Sequence, residues 1–210
     1  MSVAKGISRE LIVQAALDLL DEEGIDGVTA RALANRLGVR APALYWHMSN
    51  KQEILDEMGT EVARRVAADL ADLPADVGWR ERLTAYARAL RREYLAHRDG
   101  ARTFSGTKLT DHEVIHAQEV HLQATIDAGL ELGHAVTAAQ VVTAFVVGFV
   151  IQEQRSGPES YLLTERDAGP AAPLMRAAGR RLFGDSDDLF EQSLDLVLTG
   201  IAVRFAGESA

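Results

Sequence analysis

The sequence predicts an all-α fold, in which a three-helix N-terminal unit is joined by one long helix to a larger helical unit. Long alternating segments of β-branched residues bounded by hairpin turns are absent from its 210 residues. Apolar side chains instead recur at helical spacing, most clearly every four residues at Ile54, Met58, Val62, Val66 and Leu70. This stripe predicts a connecting helix of about five turns.

Helix start and stop signals divide the N-terminal unit. Ser8 is a suitable N-cap, and Gly24 can end that first helix in a left-handed cap. Thr29 and Gly38 bound a second helix in the same way. Pro42 suits the first turn of a third helix, where its missing N–H costs nothing. This third helix is predicted to run for about seven residues, or roughly 10 Å.

The fourth, connecting helix is predicted to begin after Asn50, with Glu53 placed as in a capping box. The segment "LPADVG" at 73–78 then gives the best domain boundary, so the two domains are predicted to span 1–73 and 74–210. Residues 155–173 hold three of the five prolines and are predicted to form a long loop. The remaining helices are predicted near 79–98, 111–132, 136–155, 171–183 and 187–206.

The composition limits the class of protein. Apolar residues make up 47% and charged residues 25%, which is ordinary for a globular chain. The absence of cysteine removes disulfides, thiolate catalysis and cysteine-ligated zinc, and it fits a reducing cytoplasm. The N-terminus lacks the apolar core of a signal peptide, and the apolar run at 141–151 is expected to be too short to span a bilayer. We therefore expect a cytoplasmic protein with no membrane partner.

The charge is distributed unevenly. The formal net charge is −9, which argues against a protein that binds nucleic acids indiscriminately. The stretch 29–51 nevertheless has no acidic residue and four basic ones, Arg31, Arg36, Arg40 and Lys51. A solvated face would explain a basic patch of this size, but the aromatic residues in the same stretch favour a binding surface.

These aromatic residues lie in the last helix of a helix-turn-helix pattern. At about 100° per residue, Leu44 and Met48 share the side that packs inward, whereas Tyr45 and Trp46 stay outside. A helix of this size fits the major groove of B-DNA, where the Tyr45 hydroxyl and the His47 imidazole can donate to phosphates. Basic side chains at the starts of the second and fourth helices are predicted to reach flanking phosphates.

Two stretches of the sequence also resemble a known protein family. The stretch "GVTARALANRLGVRAPALYWHMSNKQEILD" resembles the DNA-binding domain of the TetR family of repressors, especially its tetracycline repressor branch, and "YLAHRDGARTFSGT" at 94–107 is similar to that branch's ligand-binding domain. The resemblance implies a ligand-responsive repressor that binds a palindromic double-stranded operator as a homodimer. It places the DNA contacts at Arg31, Arg40, Ala41, Pro42, Ala43, Tyr45, Trp46, His47 and Lys51.

The chain departs from that branch at informative positions. Arg40 and Ala41 stand where the branch carries an acidic and an amide residue, so the operator is expected to differ. Phe104 stands in place of the magnesium-ligating histidine, and Ala67 and Tyr86 replace the histidine and asparagine that hold the drug. Because phenylalanine cannot ligate Mg²⁺, we expect no recognition of the tetracycline–magnesium chelate, and no metal or other cofactor.

The effector pocket is expected to be apolar and aromatic, with a few polar anchors, and to take an apolar or aromatic small molecule. Thr107 keeps the threonine of the branch. Plain core packing is the alternative for each aromatic residue taken singly. The predicted ligand-binding residues are Tyr86, Leu90, Phe104, Thr107, His116, His121, Phe145, Phe149 and Gln152.

Two helices are predicted to form the dimer interface. Those at 136–155 and 187–206 are apolar over most of their circumference, so each must be covered on more than one side. Their central glycines, Gly148 and Gly200, would permit close helix approach. One side of each can pack in the protomer and the other against a second copy, as the resemblance also implies. A single well-buried monomer core is the alternative.

The sequence contains weaker indications of other functions. His112 and His116 have a spacing that can bind a metal, but His121 is not on the same face, so solvated or pocket-lining histidines are favoured. Neither a phosphate-binding loop nor a nucleophile elbow is present, so no catalytic residue and no enzyme activity are predicted. A small-molecule carrier or enzyme with an incidental helix-turn-helix remains an alternative. So does an architectural DNA-binding protein, which would be more broadly basic.

Overall fold

A computed structural model describes residues 7–155, 173–182 and 184–206. These residues form ten α-helices and no strand, as the sequence predicts. The predicted loop at 155–173 lies almost wholly outside the described residues. The helices are α1 (Arg9–Glu23), α2 (Ala30–Leu37), α3 (Ala41–Leu44), α4 (Lys51–Ala71), α5 (Trp79–Leu95), α6 (Gly100–Phe104), α7 (His112–Asp127), α8 (Leu132–Arg155), α9 (Pro173–Leu182) and α10 (Ser186–Ala206).

The first three helices form a small bundle whose helix caps follow the prediction. Ser8 Oγ accepts a hydrogen bond from the backbone N of Leu11 (3.3 Å), and Thr29 Oγ1 accepts one from the backbone N of Ala32 (3.1 Å). Gly38 ends α2 in the left-handed conformation, with φ 67° and ψ 29°. Each side-chain cap of this kind typically stabilises its helix by about 1 kcal/mol.

The third helix is shorter than the predicted seven residues. Regular helix covers only Ala41–Leu44, and the backbone N atoms of His47 and Met48 both donate to the Leu44 carbonyl in the turn that follows (2.9 and 3.0 Å). The chain leaves the helix early because Asn50 must adopt an extended backbone, with φ −162° and ψ 173°, to cap α4.

Two other caps differ in detail from the prediction. Asn50 Oδ1 accepts from the Glu53 backbone N (2.9 Å), but the Glu53 carboxylate accepts from Ser49 N (2.6 Å), one residue earlier than in a capping box. Gly24 has a positive φ of 77° with an extended ψ of −179°, so it is not the predicted left-handed cap. This backbone passes close to Asp99, whose Oδ2 would lie 3.1 Å from an added Cβ.

The fourth helix is shared by the two halves of the molecule. It packs against α1 on one side and against α5, α6 and α7 on the other. The predicted stripe is buried along its length, at Ile54 and Met58 in the first half and at Val62 and Val66 in the second. Buried apolar residues of both halves form one connected core. A shift of α4 therefore disturbs the packing of both halves at once.

The eighth helix lies at the centre of the C-terminal half, where it packs on α5, α6, α7 and α10. Val142, Val146 and Val150 are fully buried. Another side of the same helix, including Val141 and Gly148, is exposed. One side of this helix therefore lies in the core, and another side lies on the surface.

Helix boundaries in this half differ from the prediction by a few residues. α7 ends at Asp127 and α8 begins at Leu132, because Gly129 turns the chain between them with φ 105°. The short α6 was not predicted as a separate helix. It follows Asp99, the one described non-glycine residue with a positive φ (56°).

Within the described ranges, α8 is the one helix that is long and apolar enough to cross a membrane by length and composition. The apolar run at 141–151 lies within this helix, which continues beyond the run to 24 residues. Only 28% of its most apolar window is buried within the protomer. Much of its apolar surface is thus left uncovered by the residues that the structure describes.

The closest approach between α4 and the segment after α6 occurs at Gly59. A Cβ built there would lie 2.0 Å from Thr107 Oγ1 and 2.7 Å from Thr107 Cβ, well inside van der Waals contact. The next residue, Thr60, fixes the same segment, because its Oγ1 accepts from the Thr110 backbone N (3.0 Å). A glycine is therefore required at a helical position where it would otherwise cost about 1 kcal/mol.

We expect Gly59→Ala to lower the free energy of unfolding by about 1–3 kcal/mol, because the overlap with Thr107 outweighs the gain in helix propensity. Urea unfolding followed by circular dichroism measures the change. Gly133→Ala in α8 is the matched control, since its methyl group would meet nothing within 4 Å. Wild-type stability of Gly59→Ala would contradict the tight contact.

Candidate functional site

A patch of aromatic surface follows α3. Trp46 is 89% exposed and Tyr45 is 55% exposed, whereas Leu44 and Met48 are buried. This is the facing that helical spacing predicts. Aromatic side chains are costly to leave in water over such an area, so their exposure favours a partner that covers them.

The nine predicted DNA contacts lie on three adjoining elements: the start of α2, α3 with its following turn, and the start of α4. We call these nine residues the recognition surface. None of them is buried in the core. Ala41, Ala43 and His47 are half-buried, and the others are exposed: Arg31, Arg40, Pro42, Tyr45, Trp46 and Lys51.

Most of the positive charge at this surface is uncompensated. Arg36, which belongs to the basic stretch 29–51 but not to the recognition surface, forms ion pairs with Glu22 and Asp18 of α1. Arg31 and Arg40 have no ion pair with any described residue. Lys51 Nζ donates to the carbonyl of Ile25 (3.2 Å), a neutral partner that leaves its charge available. The recognition surface is therefore basic on a chain of net charge −9.

Arg9 supports this surface from below, a role that the sequence analysis missed. Its Nη1 donates to the His47 carbonyl (2.6 Å), and its Nη2 contacts Glu53 (2.5 Å) and Glu57 (2.7 Å) on α4. The hydrogen bonds to Glu53 and Glu57 raise the pKa of Arg9. One side chain at the start of α1 thus links the turn after α3 to α4. Nothing in the local sequence distinguishes it from a solvated arginine.

A cavity of about 800 Å³ lies between α4, α5, α7 and α8 and is closed at one side by Phe104 and Thr107. We call it the central cavity. Val62 and Val66 of α4, Leu83 and Leu90 of α5, and small residues of α7 and α8 make its wall largely apolar. Its size and lining are typical of a site for a drug-sized molecule.

Five of the nine predicted ligand-binding residues line this cavity, namely Tyr86, Leu90, Phe104, Thr107 and His121. His116 and Gln152 do not, and both are exposed. Residues that the sequence analysis did not nominate also reach the wall. Those with polar groups are Arg82, Tyr94, Gln118, Thr125, Gln140 and Thr143.

Phe145 and Phe149 face away from the central cavity, so their predicted place on its wall is corrected. Their rings pack on Phe190 of α10, with centroid distances of 5.5 and 5.2 Å. The Arg91 guanidinium stacks over Phe190 at 4.6 Å and pairs with Glu153. These aromatic residues serve the packing of α8 on α5 and α10, the alternative that the sequence left open.

The polar groups of the cavity are few and mostly engaged. Thr143 Oγ1 donates to the Ala139 carbonyl (2.8 Å), so the Tyr86 hydroxyl is the donor in its hydrogen bond to Thr143 (2.8 Å). Burial raises the pKa of Tyr86 and raises that of Tyr94 to about 12. His121 lies 6.2 Å from Tyr86 between ring centroids. Burial, followed by the charge of Arg82, lowers the pKa of His121.

A contact between the buried ring of His97 and the exposed Asp21 joins the cavity wall to the N-terminal bundle. The ring of His97 meets Phe104 edge to face at 5.7 Å, and its Nδ1 lies 3.1 Å from the Asp21 carboxylate at the end of α1. The same carboxylate accepts from the Arg98 backbone N (3.1 Å). Gln154 of α8 fixes the turn by donating to the His97 carbonyl (2.8 Å). Phe104 thus touches the cavity on one side and this junction on the other.

Two sequence families match the chain in the same order as the two halves of the structure. Residues 12–58 match "Bacterial regulatory proteins, tetR family", and residues 72–205 match "Tetracyclin repressor-like, C-terminal domain". The chain belongs to the TetR family. The resemblance predicted from two short stretches is confirmed over most of its length.

Relatives of this regulator bind small molecules. The tetracycline repressor protein class A from transposon 1721 of Escherichia coli is 39% identical over 200 residues, covering 92% of this chain and 89% of the relative. Its class has a solved structure with 5a,6-anhydrotetracycline and magnesium (TM-score 0.69, 33% identity, 93% of this chain and 98% of that one). ActR of Streptomyces coelicolor with actinorhodin gives a TM-score of 0.75 at 27% identity, covering 98% and 100%.

These relatives are transcriptional regulators rather than enzymes, and the regulator is a ligand-responsive transcriptional repressor of this family. Its family forms homodimers that bind operator DNA and small-molecule effectors. The predicted fold class and function are therefore confirmed.

The central cavity does not fit the magnesium ion of the class A structure. Its described wall offers hydroxyl, amide, imidazole and guanidinium groups but no carboxylate, and Phe104 contributes an apolar ring. Mg²⁺ prefers carboxylates, phosphates and water in near-octahedral geometry. Within the described ranges, no group of three or more His, Asp or Glu residues could hold a metal ion.

His121 gives the regulator a predictable dependence on pH. Because its folded-state pKa is lowered, the unfolded chain binds more protons around and below the ordinary histidine pKa of about 6.5. The contribution of His121 to stability is thus present above that pH and is lost as pH falls through the lowered pKa. His121→Gln should reduce the fall in Tm between about pH 7.5 and pH 5.

Thermal unfolding at a series of pH values measures this difference. His116→Gln is the matched control, because His116 lies on the same helix but is exposed. It should leave the pH dependence unchanged. A wild-type pH profile for His121→Gln would contradict the assigned burial of the neutral imidazole.

Proposed function

We propose that this regulator binds a palindromic operator as a homodimer through its recognition surface and releases it when a small molecule fills the central cavity. One observation carries the proposal: α4 begins at Lys51 on the recognition surface and lines the cavity with its second half. The DNA-binding domain would span 1–73, and the ligand-binding and dimerisation domain 74–210. The regulator would act in the cytoplasm without catalytic activity or a cofactor.

The geometry supports distinct roles within the recognition surface. Tyr45 and Trp46 are the most prominent side chains outside the buried Leu44, so they would enter the major groove with Ala43. Arg40 stands at the N-terminus of α3, where a guanidinium can pair with the O6 and N7 atoms of guanine. Arg31 and Lys51 would hold the flanking phosphates.

Tyr45→Ala should weaken binding to the specific operator by about 1–3 kcal/mol, because it removes a side chain from the groove without disturbing the core. Fluorescence anisotropy with the DNA that flanks the regulator's own gene measures this loss against scrambled duplex at physiological salt. Ile115→Ala, which removes a partly exposed apolar side chain of α7, is the control and should bind as the wild type does. Unchanged operator affinity of Tyr45→Ala would refute the assigned recognition helix.

Lys51→Ala should weaken all duplexes alike, because a phosphate contact carries no sequence information. The slope of log affinity against log salt should become shallower by about one unit. The same anisotropy titrations, repeated at several salt concentrations, provide the measurement. A loss confined to the specific operator would show that Lys51 reads bases instead.

The homodimer would form through an uncovered apolar face of α8 and α10, which consists of Val141, Gly148, Leu196, Gly200 and Val203. Leu196 and Val203 are 74% and 73% exposed, and a Cβ at either glycine would meet nothing within 4 Å. The opposite sides of both helices are buried in the protomer, at Val142 and Leu198 among others. Two copies would thus pair as a four-helix interface around small central residues.

The double variant Leu196→Arg, Val203→Arg should be monomeric at concentrations where the wild type is dimeric. Burying unpaired arginines costs several kcal/mol, so the dimer Kd should rise by roughly 100-fold or more. Sedimentation velocity gives the oligomeric state. Ile115→Arg places one arginine on the exposed side of α7, outside the proposed interface, and should leave the dimer intact. A stable dimer of the double variant would exclude this interface.

The effect of effector binding would be transmitted to the DNA-binding domain through two neighbouring contacts. Phe104 connects the cavity to His97 and Asp21 of the junction, and Thr107 abuts Gly59 of α4. A molecule that displaces either residue would move α1 or α4 and so change the separation of the two recognition surfaces in a dimer. The tetracycline–magnesium chelate would not be that molecule, because the wall lacks ligands for its metal.

A further inference from the structure

The wall of the central cavity carries one permanent charge, and it is positive. Among the described residues that line it, Arg82 alone is always ionised at neutral pH, and none is Asp or Glu. The protein as a whole has a net charge of −9. A lone cation in the wall of the central cavity of an acidic protein is therefore a local feature that the overall composition does not explain.

Arg82 is held in place by backbone carbonyls. It is 4% exposed, its Nε donates to the Val77 carbonyl (3.0 Å), and its Nη2 donates to the carbonyls of Pro74 (2.9 Å) and Ala75 (3.0 Å). These bonds fix the segment between α4 and α5. They leave Nη1 without a hydrogen-bond partner among the described residues. The guanidinium is thus fixed in position and mostly buried, and one of its nitrogens donates to none of the described residues.

The charge of Arg82 also lacks a counter-ion. No ion pair joins it to a carboxylate in the described part of the chain, whereas Arg88 and Arg91 of the same helix both pair with acidic residues. Buried charges are usually paired, because an unpaired one is costly. The nearby His121 has a lowered pKa, so it stays neutral at neutral pH and can offer a hydrogen bond without adding a second charge.

We propose that the central cavity takes an amphipathic anion, a molecule with an apolar or aromatic body and a carboxylate, sulfonate or phenolate group that binds the Arg82 guanidinium. This inference rests on the proposed function, since it names the chemical class of the effector. The anion supplies the missing counter-ion, and the apolar walls receive the body. A cationic molecule of the same shape finds no acidic partner in the wall.

The position of Arg82 also allows the binding of such an anion to affect the DNA-binding domain. The carbonyls that Arg82 holds belong to the segment that directly follows α4. An anion that draws the guanidinium towards itself competes with these carbonyls for the same donors. The conformation of the segment at the end of α4 therefore depends on whether the cavity is occupied.

Two fluorescent dyes of nearly the same shape test the proposal. 8-Anilinonaphthalene-1-sulfonate carries the anionic group, and N-phenyl-1-naphthylamine lacks it. Arg82→Gln should weaken binding of the sulfonate by about tenfold or more, the usual effect of losing a charge-assisted hydrogen bond, and should change binding of the neutral dye little. Arg80→Gln, on the same helix but facing Asp195, is the matched control and should alter neither titration.

The variants also distinguish the effect of the positive charge at position 82 from the effect of the shape of the side chain. Arg82→Lys should retain more affinity for the sulfonate than Arg82→Gln does, because it keeps the charge. Equal losses for both dyes in Arg82→Gln would show that Arg82 only supports the cavity wall, and an unchanged sulfonate affinity would show that it does not meet the anion. Either result overturns the proposal.

A second measurement uses the wild-type protein and does not depend on the folding of a variant. 2-Naphthoate, 2-naphthol and 2-naphthylmethylammonium compete for the cavity against N-phenyl-1-naphthylamine. The carboxylate should compete best and the ammonium worst; no preference, or the reverse order, overturns the proposal. These titrations contain no DNA, so a failure of operator binding or release would be seen separately and would count against the proposed function instead.

Discussion

The structure depends on one helix that connects the packing of both halves into a single core. α4 contributes Ile54 and Met58 to the packing around α1, and Val62 and Val66 to the wall of the central cavity. Close-packed interiors do not absorb a displacement smoothly, so a movement forced at one end of such a helix must be accommodated at the other. In the proposed mechanism, sharing the helix would make the N-terminal bundle respond to a change in the central cavity.

The junction at Asp21 adds a polar connection to this shared packing. One carboxylate holds both the His97 ring and the Arg98 backbone, and the other face of His97 rests against Phe104. The contact is specific because it requires a charge, a ring and a backbone group to meet at one turn. In the proposed mechanism, apolar packing along α4 would supply the strength of the coupling, and this junction would limit the positions in which the two halves can meet.

Much of the fold could be predicted from the sequence because its signals are local. Ser8, Thr29 and Asn50 cap helices through their own side chains, and the spacing of Leu44 and Met48 fixes which side of α3 faces inward. α8 gave no such information. A helix that is apolar on every side has no preferred direction in its sequence pattern, so the placement of Phe145 and Phe149 was wrong. Arg82 was missed since its burial depends on three carbonyls of a preceding loop.

The absence of a side chain at Gly59 has a mechanical consequence. Most contacts between packed segments pass through side chains that can change rotamer, so a small push on one segment is partly lost before it reaches the next. At Gly59 the helix contributes no side chain, so the backbone of α4 lies directly against the short, β-branched side chain of Thr107, which has few rotamers to yield into. In the proposed mechanism, the displacement that starts the response of this regulator would be set by the fit of one backbone against one stiff side chain, and it could be small even where the effector is bound only loosely.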